Sequence, residues 1–381
     1  MTDFEALRSR FPLLGEKTYL NSGSYAALAD SVRAAFSSYL DDRLSVGANW
    51  EVWVAKNEAV RSGLATILRA TPDEIAVTSS TTAGINAVAS ALDFSGKRDT
   101  IVTSDLEFPT NAQIWHAQEP RGARVVHVPL GADGWISPER FADAIDERTR
   151  LVAVTHVGFR NGARLDAAAI GRIAHARGAL MMLDCYQSVG SMTVDVGALD
   201  VDFAVGGLYK YLLATAGIGF LYVRGSLIQQ LLPTVSGWFA QADINAMNIK
   251  SNCPSLTARR FEGGTPPVVA CYAAEAALGI IAEIGTDAIE KRVRSLSGQC
   301  MDQLAKIGWP AITPRDDSRR GAMIAIPSRD SGGLAAALEK RNIVVSHRDQ
   351  NLRAAFHFYN NENDIAAFIN AMCELKDSFA S

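Results

Sequence analysis

The chain has 381 residues, 48% of them hydrophobic and 20% charged, enough to bury one large core with room for two or three domain-sized units. Its formal net charge of −4 comes from interspersed acidic and basic residues, which excludes the electrostatic footprint of a nucleic-acid or anionic-membrane binder. The opening MTDFEALRSRFPLL lacks the basic start and apolar core of a signal peptide, and no apolar run reaches about 18 residues, so a cytoplasmic location is expected.

From about residue 72 short apolar runs alternate with helical patterns. EIAVTS, TIVTSD, ARVVHVPL, RLVAVTHV, ALMMLDC and VDFAVGG predict strands. Between the first two, TTAGINAVASAL sets Ile85, Val88, Ala89 and Leu92 at helical spacing and predicts a crossover helix. Near-continuous apolar strands separated by helices imply an α/β fold with a mostly parallel sheet covered on both faces. AGIGFLYV follows VDFAVGG after too short a link for a helix, so it is expected to run antiparallel. Beyond about residue 280 come a long helix, three short strands (GAMIAI, NIVVSH, LRAAFHF) and a last helix with Ile365, Phe368, Ile369 and Met372 on one stripe. The expected division is a large domain over 16–279 and a smaller α+β domain formed by 1–15 with 280–381. The five cysteines are scattered without a CxxC pair and the six histidines without an HxxxH pair, so neither a disulfide framework nor a metal site is expected.

Open α/β sheets bind ligands at the carboxyl ends of their strands. Three predicted strands end in pointed chemistry: ALMMLDCYQS at Asp184 with Gln187 beyond it, VDFAVGGLYK at Lys210, and EIAVTSSTTAGIN in hydroxyls that open a helix near Thr81 and Thr82. Singly, each has a plainer reading as a pairing carboxylate, a solvated lysine or a helix cap. Together they supply what pyridoxal phosphate requires: an amine to form the aldimine, a carboxylate to keep the pyridine nitrogen protonated, and first-turn amides whose dipole favours phosphate.

HARGALMMLDCYQSVGSMTVDVGALDVDFAVGGLYKYL, RRFEGGTPP and NLRAAFHFYNNENDI carry a resemblance over nearly the whole chain. The sequence resembles the class V aminotransferase superfamily of fold-type-I pyridoxal-phosphate enzymes, which includes cysteine desulfurases, kynureninase, isopenicillin N epimerase and cysteine C–S lyases. The resemblance implies that Lys210 is the Schiff-base lysine, Asp184 the partner of the pyridine nitrogen and Gln187 a donor to the phenolic oxygen. It makes Thr82, with Thr81 and Tyr209, the phosphate ligands. It puts Phe108 of EFPTN where the family stacks a ring on the cofactor, and makes Thr265 a residue that reaches the neighbouring subunit's cofactor phosphate, hence a homodimer. Arg353 matches the arginine that forks onto a substrate α-carboxylate.

The sequence also departs from those relatives. VVSHRDQN, the loop before the arginine strand, has no cysteine where a desulfurase carries its persulfide-forming one. In THVGFRNGARLD, Phe159 stands where the family has an asparagine, and Arg160 follows it as a candidate reader of an acidic or planar side chain, or as a solvated cation. Trp238, with Phe239, is expected to wall the pocket, while Cys185 beside Asp184 is expected to be a packed thiol. The expected activity is a lyase-type reaction on an α-amino acid through a Cα carbanion, such as β-elimination, and not cysteine desulfuration. Amino transfer or epimerisation is the alternative, and a non-catalytic module that binds pyridoxal phosphate or an amino acid is the reading outside enzymes.

Overall fold

The structure, a computed structural model, describes residues 2–380. The chain enters through a two-residue strand, β1 (Thr18–Tyr19). It then lays down β2 (Ile75–Thr78), β3 (Thr100–Ser104), β4 (Arg124–Val128), β5 (Thr149–Thr155), β6 (Leu180–Asp184), β7 (Phe203–Gly207) and β8 (Gly219–Val223). These seven form one sheet in the order β2-β8-β7-β6-β5-β3-β4. All neighbours are parallel except at β8, which is antiparallel to both β7 and β2. The link from Gly207 to Gly219 is too short to carry a helix back across the sheet, so β8 reverses, as its sequence spacing implies.

Successive side chains of a strand point to opposite faces, and here the two faces feed two cores. Val152, Val154, Met181 and Leu183 point into the larger cluster, where Ile170 and Ala174 of the helix Ala167–Ala176 also pack. Leu151, Ala153, Met182, Phe203 and Val205 point into the other, against Ile85 and Val88 of the helix Thr81–Ala91. Burial on both sides explains why these strands read as unbroken apolar runs.

The C-terminal part adds β9 (Met323–Pro327), β10 (Ile343–Val344), β11 (Ser346–Arg348) and β12 (Asn351–Ala355). β11, β12 and β9 form an antiparallel sheet, with the helices Thr286–Lys306 and Glu362–Phe379 packed near it. NIVVSH, expected as one strand, is split: β10 pairs with β1 while β11 pairs with β12, so the chain changes sheets at Val345. The amino-terminal segment associates with this part: Arg8 makes an ion pair with Asp364 at 2.8 Å, and Asn21 bridges to Ala355.

A buried pair anchors the EGGTPP loop to the sheet. Glu262 accepts from Arg61 Nη1 at 2.7 Å and from the Val77 amide at 2.8 Å. Both side chains are almost wholly out of water. Removing one partner leaves an uncompensated buried charge, so Arg61→Met is expected to cost about 3–5 kcal/mol, read as a shift in a urea unfolding midpoint. Adding Glu262→Leu to that variant is expected to restore part of the loss, because the orphaned charge is then gone.

Candidate active site

The site is built where strand ends converge. Thr155 and Asp184, in register on β5 and β6, lie beside the end of β7, and the helix Thr81–Ala91 opens from the turn after β2. Lys210 follows β7 by three residues and is only 8% exposed. A single cleft brings together Ser80, Thr81, Thr82, Phe108, Phe159, Asp184, Tyr186, Gln187, Tyr209 and Lys210.

Lys210 Nζ lies 4.3 Å from the ring centre of Tyr186 and 5.8 Å from that of Phe108. Burial pushes its pKa down to about 8; the charge of Asp184 opposes this and that of Arg353 adds to it. A lysine is nucleophilic in its deprotonated form. The rate at which pyridoxal phosphate attaches to the apoprotein is therefore expected to rise about tenfold per pH unit below pH 8 and to level off above it, measured by stopped-flow absorbance.

Asp184 is buried, accepts from the Tyr186 amide at 2.9 Å, and has its pKa raised by burial against the pull of that amide and of Lys210. Gln187 donates to the Gly23 carbonyl at 3.0 Å, while its Oε1 is buried without a partner. At the helix start, Ser80 Oγ accepts from the Ala83 amide at 3.1 Å and so acts as the N-cap. The hydroxyl of Thr81 is buried with no hydrogen-bond partner. The close packing of this turn on β8 depends on Gly219: a Cβ there would fall 2.7–2.9 Å from backbone atoms of Ser80, Gly206 and Thr81.

Other candidate residues sit differently. Arg353, on β12, donates to the Phe159 carbonyl at 2.7 Å, and its Nη2 stands 3.5 Å from Ser24 Oγ, with Nε buried and unpartnered. Phe159 meets Phe108 edge to face at 5.1 Å between ring centres. Arg160 points away from the cleft, pairing with Asp349 at 3.0 Å and running along the Phe159 ring. Trp238 packs on Trp50 and Phe239 and lines a separate hollow with Met247. Thr265 lines another hollow, beside Thr78 and Ser79, rather than its own chain's Lys210 cleft. Cys185 is fully buried, and burial pushes its thiol pKa up, which keeps it neutral and packed.

Two contributors escape sequence reasoning. Tyr186 lays its ring against Lys210 and its hydroxyl over Gly207, where a Cβ would lie 2.2 Å from that oxygen. The double glycine of VGGLYK was the only available signal, and nothing in one sequence links it to Tyr186. Glu107 is buried beneath Phe108 in sequence, accepting from Ser104, Asn111 and the Thr155 amide at 2.6–2.8 Å. Burial raises its pKa to about 8. Through Asn111, which accepts from Trp115 Nε1 at 2.8 Å, it ties the helix Pro109–His116 to β3 and β5.

Pyridoxal phosphate fits this donor set. The unpartnered Thr81 hydroxyl and the open first turn would suit its phosphate, Asp184 its ring nitrogen and Lys210 its aldehyde, while Gln187 presents its acceptor Oε1 and would need its amide turned over to donate to the phenolic oxygen.

A family model described as aminotransferase class-V matches residues 19–368. The chain is 33% identical to an uncharacterized aminotransferase of Bacillus subtilis over 95% of both chains. It is 31% identical to the kynureninase of Deinococcus radiodurans, over 90% of this chain and 85% of that one. The apo structure of a cysteine desulfurase from Thermococcus onnurineus superposes with a TM-score of 0.89, at 26% identity, covering 99% of both chains.

Proposed function

Because this chain belongs to the aminotransferase class-V family, and is therefore a pyridoxal-phosphate enzyme, we propose that it removes the α-proton of a small amino acid and expels a leaving group from Cβ. The observation that carries this reading is the buried Lys210, with a pKa near 8, set between Asp184 and two aromatic rings. When bound, pyridoxal phosphate supplies an aldehyde for the lysine and a pyridine ring that draws electrons from Cα.

The residues of the chain do the rest. Arg353 holds the substrate carboxylate, since its buried Nε and Nη2 lack strong partners of their own. Lys210 would hold the cofactor through its amine and, with that amine free, would take the proton from Cα; its lowered pKa lets it act as a base near neutral pH. Phe108, Phe159 and Tyr186 keep water away from the reacting carbon. A thiolate or similar group leaves without a separate general acid. No cysteine lies between Val344 and Asn351, so the chain lacks a loop thiol to carry sulfur onward, in contrast to the desulfuration named for some relatives.

The second reading is amino transfer, favoured by the name of the Bacillus subtilis relative. The active unit we propose is a homodimer. Leu44 and Ile249 are 87% and 93% exposed, Leu40, Val46, Trp50 and Leu256 are also uncovered, and Thr265 lies in a hollow outside its own chain's Lys210 cleft, which supports this reading.

The test is to incubate the loaded enzyme with cysteine, cystine and alanine. Continuous formation of pyruvate with sulfide or persulfide supports elimination. A stoichiometric conversion to the pyridoxamine form, reversed by a keto acid, overturns it in favour of amino transfer.

A further inference from the structure

Tyr186 leaves the chain between Asp184 and Gln187, and its side chain reaches across to the end of β7, onto Gly207 and Lys210. A Cβ on Gly207 would collide with its hydroxyl and ring, so the phenol occupies the space that a side chain at 207 would fill.

Beside that space the helix Thr81–Ala91 begins. Gly207 pairs directly with Gly219 of β8, and directly paired antiparallel residues project from the same face, with Cβ positions about 4.5–5.5 Å apart. From Gly219 that direction meets the Ser80 carbonyl carbon at 2.7 Å and the Thr81 amide nitrogen at 2.9 Å. From Gly207 it meets the Tyr186 hydroxyl. The phenol oxygen and the opening amide of the helix therefore stand side by side over one pair of glycines. Tyr209 joins them: its ring meets that of Tyr186 edge to face at 5.3 Å between centres, and both residues line the cleft with Thr81 and Thr82.

Two observations mark this spot for an anion. Ser80 Oγ caps the Ala83 amide, while the amides of Thr81 and Thr82 precede the first intrahelical bond, from Gly84 to the Ser80 carbonyl, and the helix dipole there favours negative charge. The Thr81 hydroxyl, in a residue only 8% exposed, is buried without a partner. The phenol suits the same anion: burial and the neighbouring Tyr209 hydroxyl push its pKa up, so it stays protonated and donates.

We propose that the Tyr186 hydroxyl is a donor to the phosphate of pyridoxal phosphate, supplying over Gly207 the polar group that this position lacks. A phosphate group carries three acceptor oxygens, enough to take the Thr81 hydroxyl, the helix amides and the phenol together. The same ring packs on Lys210, with Nζ 4.3 Å from its centre, so one side chain links the phosphate end of the cleft to the amine. This role rests on the cofactor and holds whether the reaction is elimination or amino transfer.

Equilibrium binding of pyridoxal phosphate and of pyridoxal to the apoprotein, followed by quenching of tryptophan fluorescence, tests it. The two ligands share the aldehyde and the ring nitrogen and differ in the phosphate. Tyr186→Phe keeps the ring that packs on Lys210 and Gly207. A hydrogen bond to a charged acceptor is strong enough that the variant is expected to bind pyridoxal phosphate at least roughly tenfold more weakly, with pyridoxal bound as in the parent. Protection of the apoprotein against thermal unfolding by inorganic phosphate is expected to shrink in the same variant. Unchanged affinity for pyridoxal phosphate overturns the proposal. So does an equal loss for both ligands, which would make the phenol a wall of the ring site and not a phosphate ligand.

Discussion

Lys210→Ala is expected to lower turnover by at least roughly 10⁴-fold, because in the proposed function one side chain supplies both the attachment point of the cofactor and the base that works at Cα. The variant is expected to fold normally. Holding an amine in a site that lowers its pKa to about 8 is unfavourable for the charged form, so its removal relieves a desolvation cost. The thermal midpoint should stay level or rise slightly. The visible absorption band of the lysine-linked cofactor should vanish while the cofactor still binds through its phosphate and ring. An added small amine such as methylamine should restore a fraction of the proton-transfer rate. Undiminished turnover in this variant would remove Lys210 from the chemistry and with it the reading of the whole cleft.

How the cleft is assembled shows which parts a sequence reveals. Asp184 and Lys210 are legible because one ends an apolar strand and the other follows one by three residues, and a parallel sheet places such strand ends on one edge. Thr81 and Thr82 were visible for a similar local reason, as hydroxyls at the start of a helix pattern. Glu107 is not legible in the sequence, because an acidic residue before a helix is usually solvated. Only the approach of Thr155, 48 positions later, shows that this carboxyl is buried. The partnership of Tyr186 with Gly207 is likewise a contact between two strand ends, and periodicity carries no information about which side chain fills a gap across neighbours. Arg160 illustrates the converse. Beside an aromatic it reads as a cleft residue, but its pairing with Asp349 depends on how the turn before β12 lies, and that turn carries Asp349 and Gln350 at φ of 49° and 61°.

Asp184→Asn is expected to reduce kcat by roughly 10³-fold with little change in fold, since the amide oxygen can still accept from the Tyr186 amide while the negative charge is gone. Two effects of that lost charge can be separated. At the cofactor, the ring nitrogen loses the counter-charge that keeps it protonated, so negative charge at Cα is stabilised less; this lowers kcat far more than it raises KM. At Lys210, the nearby negative charge that raises the amine's pKa disappears, leaving burial and Arg353 to lower it further. The pH at which cofactor attachment levels off should therefore move below 8 in the variant, although its catalysis is slower. A purely structural role for Asp184 predicts no such shift. Measuring the attachment rate and kcat across the same pH series decides between them, since a slower enzyme with an unchanged attachment profile would place the aspartate outside the electrostatic circuit of the lysine.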